Sequence, residues 1–357
     1  MTNIDKLAVI DPITWQGVPL PVRRWIVPGL VPHGSVTLLA GDGGVGKSLL
    51  AMQMLAAAAL GRDWIGVTIN NVRAIGVFCE DLPDELHIRM ADIVRLYGCS
   101  FGDLENLNLL SRVGADSIMV DFPSQEAKGV PTAFYEQVST LSREFGAQLL
   151  VLDSVHDVYG GNEIHRGQVR QFIGLLRRIA IDIDGAVVLL IHPSRAGRAD
   201  GGGESGSTAW HAAARSRLYL TKPDDGAEGD DGRVLKVVKS NYGPSNFEID
   251  LRWSDGVFEC EGEPWGVVAQ IKVRNDAKVF LRCLDIVAEQ KRDVSDTVNS
   301  PRFAPRHFAQ MPEGRRVGRK RLIVAMESLF ASGEIKISEV PGSNRHPKKV
   351  IARNQLI

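Results

Sequence analysis

Short apolar runs alternate with amphipathic stretches through the first two thirds of the chain. Val36-Thr37-Leu38-Leu39-Ala40, Ala74-Ile75-Gly76-Val77-Phe78-Cys79, Gln148-Leu149-Leu150-Val151-Leu152 and Ala186-Val187-Val188-Leu189-Leu190-Ile191 are nearly continuous apolar segments of strand length. Strands that read this way are buried on both faces, so the pattern predicts a mostly parallel sheet covered by helices on each side. Leu49 to Leu55 reads as a helix directly after the first run. Residues 206–220 predict a helix followed by a strand, and Arg233 to Lys239 a further strand. From Asp276 onward the pattern becomes compact. Lys278 to Val287 has helical spacing, Pro305 opens a short helix, and Gly318 to Phe330 forms a third, stopped by Gly333. Glu334 to Ser338 and Lys348 to Arg353 are set to pair across Pro341-Gly342-Ser343-Asn344. Residues 1–24, with Pro12, Pro19 and Pro21, read as an extended arm that could tie subunits together. The expected organisation is an arm over 1–24, an α/β core over 25–265 and a small basic domain over 276–357.

Composition narrows the class. A chain of 357 residues, 44% hydrophobic and 24% charged, suits one large α/β domain with a small companion. No apolar run reaches the length of a bilayer span, and the N-terminus lacks a basic segment followed by an apolar stretch. No membrane contact and a cytoplasmic location are therefore expected. Cys79, Cys99, Cys260 and Cys283 show no C-x-x-C spacing, which argues against a zinc site or a disulfide framework. The formal charge of −1 hides an asymmetry, because residues 271–357 carry 18 Lys+Arg against 9 Asp+Glu while the first 270 are net −10. A basic tail on an acidic body suggests a nucleic-acid-facing module on an enzyme, although a merely solvated basic surface would look the same.

The candidate chemistry begins at Gly41-Asp42-Gly43-Gly44-Val45-Gly46-Lys47-Ser48, between the first apolar run and its helix. Glycines here let successive backbone N–H groups curl round a phosphate, and the helix start adds its positive dipole end to the same anion. Gly41 through Ser48, with Leu49, form the expected nucleotide-binding segment. Lys47 would reach the β/γ-phosphates and Ser48 an Mg²⁺ ion, so ATP and Mg²⁺ are the implied cofactors.

In an open α/β sheet, ligands sit at the carboxyl ends of the strands, where Glu80, Asp153 and His192 close the next three runs. Asp153 suits the metal-side acid. Ser154 follows it where many AAA+ ATPases have a glutamate, so the base must come from another strand, and Glu80 is placed for that duty. The competing reading makes Glu80 a neighbour of a helix start, with Asp81 as the cap and Pro83 in the first turn. His192 suits a γ-phosphate sensor or a structural histidine. Two loops follow the strand ends, Gly160 to Gly167 with Arg166 and Ser194 to Gly206 with Arg195 and Arg198. They read either as a grip on a nucleic-acid backbone or as plain surface loops. Arg215 and Lys239 are cations placed to reach a neighbouring subunit's γ-phosphate, or simple surface cations on edge elements.

Together these residues resemble the RecA-like hexameric helicases, most closely the plasmid RepA-type replicative helicases and their phage-encoded relatives. The resemblance runs, in order, through Val36 to Ser48, Glu80-Asp81-x-Pro83 with His87-x-Arg89, Leu152-Asp153-Ser154, His192-x-Ser194, Gly206-Ser207-x7-Arg215 and Lys239-x-Asn241-Tyr242-Gly243. It covers about residues 25 to 250. It implies a RecA-like P-loop core and a homo-oligomer, expected to be a hexameric ring. Lys47 and Ser48 then bind phosphate and Mg²⁺, Glu80 is the base, Asp153 the metal-side acid, His192 the sensor and Arg215 the arginine finger. Lys239 resembles the lysine that senses the neighbour's nucleotide. Asn241 stands where wider relatives place an arginine, which shifts the finger role to Arg215. Pro193 departs from the plasmid form, which continues with a polar residue, and Arg217 competes with Arg215 for the finger role.

The basic tail resembles a winged helix-turn-helix. Arg315, Arg316, Arg319, Lys320 and Arg321 would put positive charge at the start of a recognition helix facing DNA, while a protein partner is the competing reading. The function expected is an oligomeric Mg²⁺-ATPase that translocates on single-stranded DNA and unwinds duplex, with duplex origin DNA as a further partner, for phage- or plasmid-type replication. The rivals are an ATP-switched DNA-binding or initiator protein and a RecA-like recombinase.

Overall fold

Each of the four apolar runs is a strand, and together they form the middle of one sheet. The computed structural model describes residues 9–192, 208–223, 231–243, 245, 247–261, 267–298, 300–340 and 348–354. β1 (Val36–Gly41), β2 (Ala74–Phe78), β3 (Leu107–Ser111), β4 (Leu149–Asp153), β5 (Ala186–Ile191) and β6 (Ser216–Thr221) pair in parallel, in the order β3-β2-β4-β5-β1-β6. Beyond β6 the sheet continues as an antiparallel meander of β7 (Gly232–Ser240), β8 (Phe247–Ser254) and β9 (Val257–Cys260). The expected α/β architecture is present, a mostly parallel sheet with helices on both faces. β3 was not anticipated. As an edge strand it is only half-buried along its length and lacks the continuous apolar signal of a central strand.

Alternation along the strands feeds two separate cores. Leu149, Val151, Val188 and Leu190 face α1 (Lys47–Leu60) and α2 (Pro83–Tyr97). Leu150, Leu152, Val187 and Leu189 face α3 (Ala133–Phe145), α4 (Val155–Val158), α5 (Arg166–Asp182) and α6 (Thr208–Ala213). α1 is buried at nearly every position, because the sheet covers one side and the meander curls over the other. Gln53 on α1 holds the meander by its side-chain amide. Its Nε2 donates to the Phe258 carbonyl and its Oε1 accepts from the Phe258 N–H, both at 2.8 Å. Further along, Arg95 of α2 donates to the Asp255 carbonyl at the β8–β9 turn.

The start of α2 corrects one expectation. Asp81 does not cap it: the N-cap is Leu82, and no side chain bonds the free N–H groups there. The Asp81 carboxylate instead accepts from Arg89 at 2.6 Å, eight residues on, in the second turn of the same helix.

In the tail, α7 (Val267–Glu289) begins ahead of Asp276 and is followed by α8 (Ala304–Phe308), α9 (Arg319–Ala331) and an antiparallel pair, β10 (Ile335–Val340) and β11 (Lys348–Arg353). Phe280, Leu284, Phe303, Phe308, Leu322, Met326 and Ile335 build a third core of their own. The turn 341–344 lies outside the described residues. A cavity of about 830 Å³ separates this tail from the underside of the core. Beside it, Arg321 spans the two parts, bidentate on the buried Asp276 carboxylate (2.8 and 2.6 Å) and 3.3 Å from the Thr68 hydroxyl. In the arm, Pro12–Trp15 is a single turn capped by Asp11, and Val9, Ile10, Ile13, Trp15, Val18, Leu20 and Val22 are all exposed. Among the described residues no helix is long and apolar enough to cross a membrane.

Candidate functional site

A cleft of about 330 Å³ opens at the carboxyl ends of β1, β2, β4 and β5. Gly44, Gly46, Lys47, Ser48, Leu49, Glu80, Asp81, Arg89, Asp153 and His192 line it. Residues predicted separately, on runs spread over 145 positions from Lys47 to His192, thus meet in one place. The parallel register forces this, because every strand that points the same way delivers its last residue to the same edge.

The glycine-rich loop leaves β1, exposes Gly43 and Gly44, and turns into α1 at Gly46 with φ 103°. Only glycine adopts that backbone angle without strain. A side chain there would also strike the Phe258 ring, whose nearest atom would lie 2.5 Å from the added carbon. Two residues of the meander therefore shape the loop: Phe258, packed on Gly46, and Arg233, whose Nε donates to the Val45 carbonyl at 3.0 Å. Neither carries a motif signal. Their role arises from the curl of the meander, which contacts more than 180 positions apart produce.

Lys47 is buried, and its ammonium donates to the carbonyls of Gly41 (2.8 Å) and Asp42 (2.9 Å). It also lies 3.3 Å from His192 Nδ1. Burial lowers its pKa, and the charges of Asp153, Glu80 and Asp42 oppose that shift. Asp153 is 4% exposed, and burial pushes its carboxyl up to about 6 against a hydrogen bond from Ser48. Glu80 and Asp81 nearby raise it further, and Lys47 draws it down. Glu80 stands exposed at the cleft mouth, 3.3 Å from the Ser154 hydroxyl, which also donates to Asp157 at 2.8 Å. A serine hydroxyl beside a buried carboxylate, flanked by two more acids, is a hard-oxygen donor set of the kind that suits Mg²⁺.

A family model described as AAA domain matches residues 5–198, more than half of the chain. The chain belongs to the AAA domain family. The matched span of this AAA domain contains the glycine-rich loop, Glu80, Asp153 and His192, and it carries the identity of an AAA-type ATPase. Among solved structures, a KaiC-like protein from the hyperthermophilic archaeon Pyrococcus horikoshii OT3 is similar at 16% identity and a TM-score of 0.48. That similarity covers 68% of this chain and all of that one.

The remaining predicted residues of this AAA-domain protein fall into distinct places. Arg215 is exposed at the entry to β6, where its N–H donates to the Val36 carbonyl at the opposite end of β1 from the loop. Arg217, its competitor, is 1% exposed inside the sheet, 3.2 Å from His211 Nδ1. Burial removes Arg217 as a group that reaches outward. Lys239 pairs with Arg217 across the strands and donates to the His211 carbonyl at 2.6 Å. Burial lowers its pKa, helped by Arg215 and Arg217.

Arg166 is exposed at the first position of α5. Arg195 and Arg198, with their loop, lie outside the described residues. In the tail Arg315, Arg316, Arg319 and Lys320 are exposed, Arg316 lining the large cavity and Arg319 lying over the Phe303 ring. Arg321 is a correction: its guanidinium is committed to Asp276 on the neighbouring tail helix and to the Thr68 hydroxyl of the core, so it ties α9 to α7 and touches the core instead of facing outward.

Proposed function

We propose that this AAA-type ATPase is an oligomeric, hexameric motor that hydrolyses ATP with Mg²⁺, translocates on single-stranded DNA and unwinds duplex. The observation that carries the reading is the separation of two sets of groups. Lys47, Ser48, Glu80, Asp153 and His192 line one cleft. Arg215 sits at the other end of β1, five residues away, about 17 Å at the usual rise per strand residue. No arginine side chain spans that gap to its own cleft, so a finger role for Arg215 requires a second subunit.

In this reading the backbone of Gly43 to Lys47 and the Lys47 ammonium bind the β- and γ-phosphates and orient the terminal phosphorus. Ser48 and Asp153 would hold Mg²⁺, which neutralises charge on the phosphate oxygens when bound. Glu80 orients a water and takes its proton as the water oxygen bonds to the γ-phosphorus, while the bond to the bridging oxygen breaks and ADP leaves. Arg215 of a neighbouring subunit stabilises the spreading charge, which ties turnover to assembly. Arg166, with Arg195 and Arg198, grips the single strand, and Arg315, Arg316, Arg319 and Lys320 of a winged-helix tail engage duplex DNA, by electrostatic attraction to phosphates.

The test is steady-state ATPase activity with and without single-stranded DNA, alongside native mass with ATP. Stimulation with a hexamer-sized species supports the motor; nucleotide binding without stimulation makes the chain an ATP-switched DNA-binding protein, and stable filaments a recombinase. For the site itself, Glu80→Gln keeps ATP binding and loses turnover by about 100-fold or more. Retained turnover would remove Glu80 from the base role.

A further inference from the structure

The histidine that closes β5 is linked to the exposed loop that follows α4. His192 Nδ1 lies 3.3 Å from the Lys47 ammonium, and its ring stacks on that of His156, with centroids 5.4 Å apart and planes 24° apart. His156 stands on α4, the turn that follows Asp153. Its Nδ1 lies 3.1 Å from Glu163 Oε1. Glu163 belongs to the loop 160–166, whose tip residue Ile164 is 78% exposed. A continuous line of contacts therefore joins the phosphate-binding ammonium to an exposed loop.

That loop has two braces of unequal strength. One is buried and permanent in character: Gln168, 3% exposed, accepts from the Asn162 N–H at 2.8 Å, and its own N–H is capped by His165. The other is the Glu163–His156 pair, with both side chains about half exposed. Exposed pairs of this kind are cheap to break. The loop is thus hinged on α5 and latched to the nucleotide side by a contact weak enough to release.

We propose that His156 and Glu163 are positioning residues that couple the nucleotide cleft to loop 160–166. A phosphate that draws the Lys47 ammonium away from His192 removes one of the contacts that fix that ring and lets it shift. The stacked His156 moves with it, and the Glu163 latch on the loop opens. The same path runs in reverse, so a strand seated against Arg166 that displaces Glu163 is felt at Lys47. In its use of a strand, though not in the latch itself, this inference rests on the motor reading above.

The experiment is hydrogen–deuterium exchange of the full-length protein with Mg²⁺ and a non-hydrolysable ATP analogue, read at residues 160–166. Exchange there is expected to change by about 5-fold or more on nucleotide binding in the parent chain. His156→Phe, which keeps a ring to stack but removes the donor, and Glu163→Ala should abolish most of that response while binding the analogue at least as tightly as the parent, since nucleotide no longer has to open the latch. Glu163→Gln, whose amide oxygen still accepts, should restore it in part. A parent loop indifferent to nucleotide, variants that respond like the parent, or variants that lose nucleotide affinity outright would each overturn the latch. Single-stranded-DNA stimulation of the same proteins separates the two ideas. An unstimulated parent with a responsive loop sinks the motor and keeps the latch; a stimulated parent with an indifferent loop does the reverse.

Discussion

Asp153 carries the largest electrostatic tension in the cleft. Its folded pKa of about 6 exceeds the ordinary 3.8, because burial disfavours the ionised form. A raised acid costs stability where it is ionised. That cost sets in as pH rises from 3.8 to about 6 and persists above, amounting to about 3 kcal/mol. Asp153→Asn, measured in chelator at pH 7.5, should therefore melt several degrees above the parent while losing hydrolysis. An unchanged melting temperature would show that Ser48 and Lys47 already offset the burial. His156 shifts upward too, its pKa raised by the hydrogen bond it donates to Glu163, against burial, and by the charges of Glu163, Asp157 and Glu80. The pair's contribution is present below pH 6.5 and is lost as pH rises through the raised value. In an NMR titration the His156 resonance should move closer to 6.5 in Glu163→Gln; an identical midpoint would mean that the other acids dominate.

Among the elements, the meander does more than extend the sheet. Gln53 satisfies both backbone groups of Phe258, and Phe258 in turn limits the space over Gly46. Gln53→Met leaves one buried N–H and one carbonyl without their partners, at about 1–3 kcal/mol each. Urea unfolding should register that loss, and nucleotide affinity should fall with it because β9 no longer holds the loop. A stability loss with unaltered affinity would make the meander a passive cover. Gly46→Ala meets both a strained φ and the Phe258 ring, so it should abolish nucleotide binding even where the chain still folds. The element order was largely legible in the sequence: β1, β2, β4, β5 and α1 announce themselves by continuous apolar runs and a glycine turn. β3 was not, since an edge strand is only partly buried; Pro83 opens α2 as read, but Asp81 does not cap it, having found a stronger partner in Arg89 than in the free N–H groups.

At the scale of the whole molecule, the core and the tail meet across the large cavity, where Arg321, paired within the tail to Asp276, also reaches the Thr68 hydroxyl of the core. Arg321→Ala strands the buried Asp276 carboxylate and should destabilise by about 3–5 kcal/mol, with no change in the salt dependence of DNA binding. Neutralising Arg316 or Lys320 should do the opposite, reducing the slope of log affinity against log salt by about one each with little loss of stability. A slope change in Arg321→Ala would return that residue to the DNA-facing set. Local signals by themselves determined the phosphate loop, the parallel strands and the acids at their ends, because a strand's period and a glycine turn are written within a few consecutive residues. Tertiary structure alone decided which arginine is buried and which exposed, which cation serves as a tie, how the meander returns over Gly46, and that Glu163 reaches His156. Those outcomes depend on groups brought together by the curl of the sheet and the packing of loops on helices, and pairs such as Gln53 and Phe258, 205 positions apart, leave no trace in local pattern.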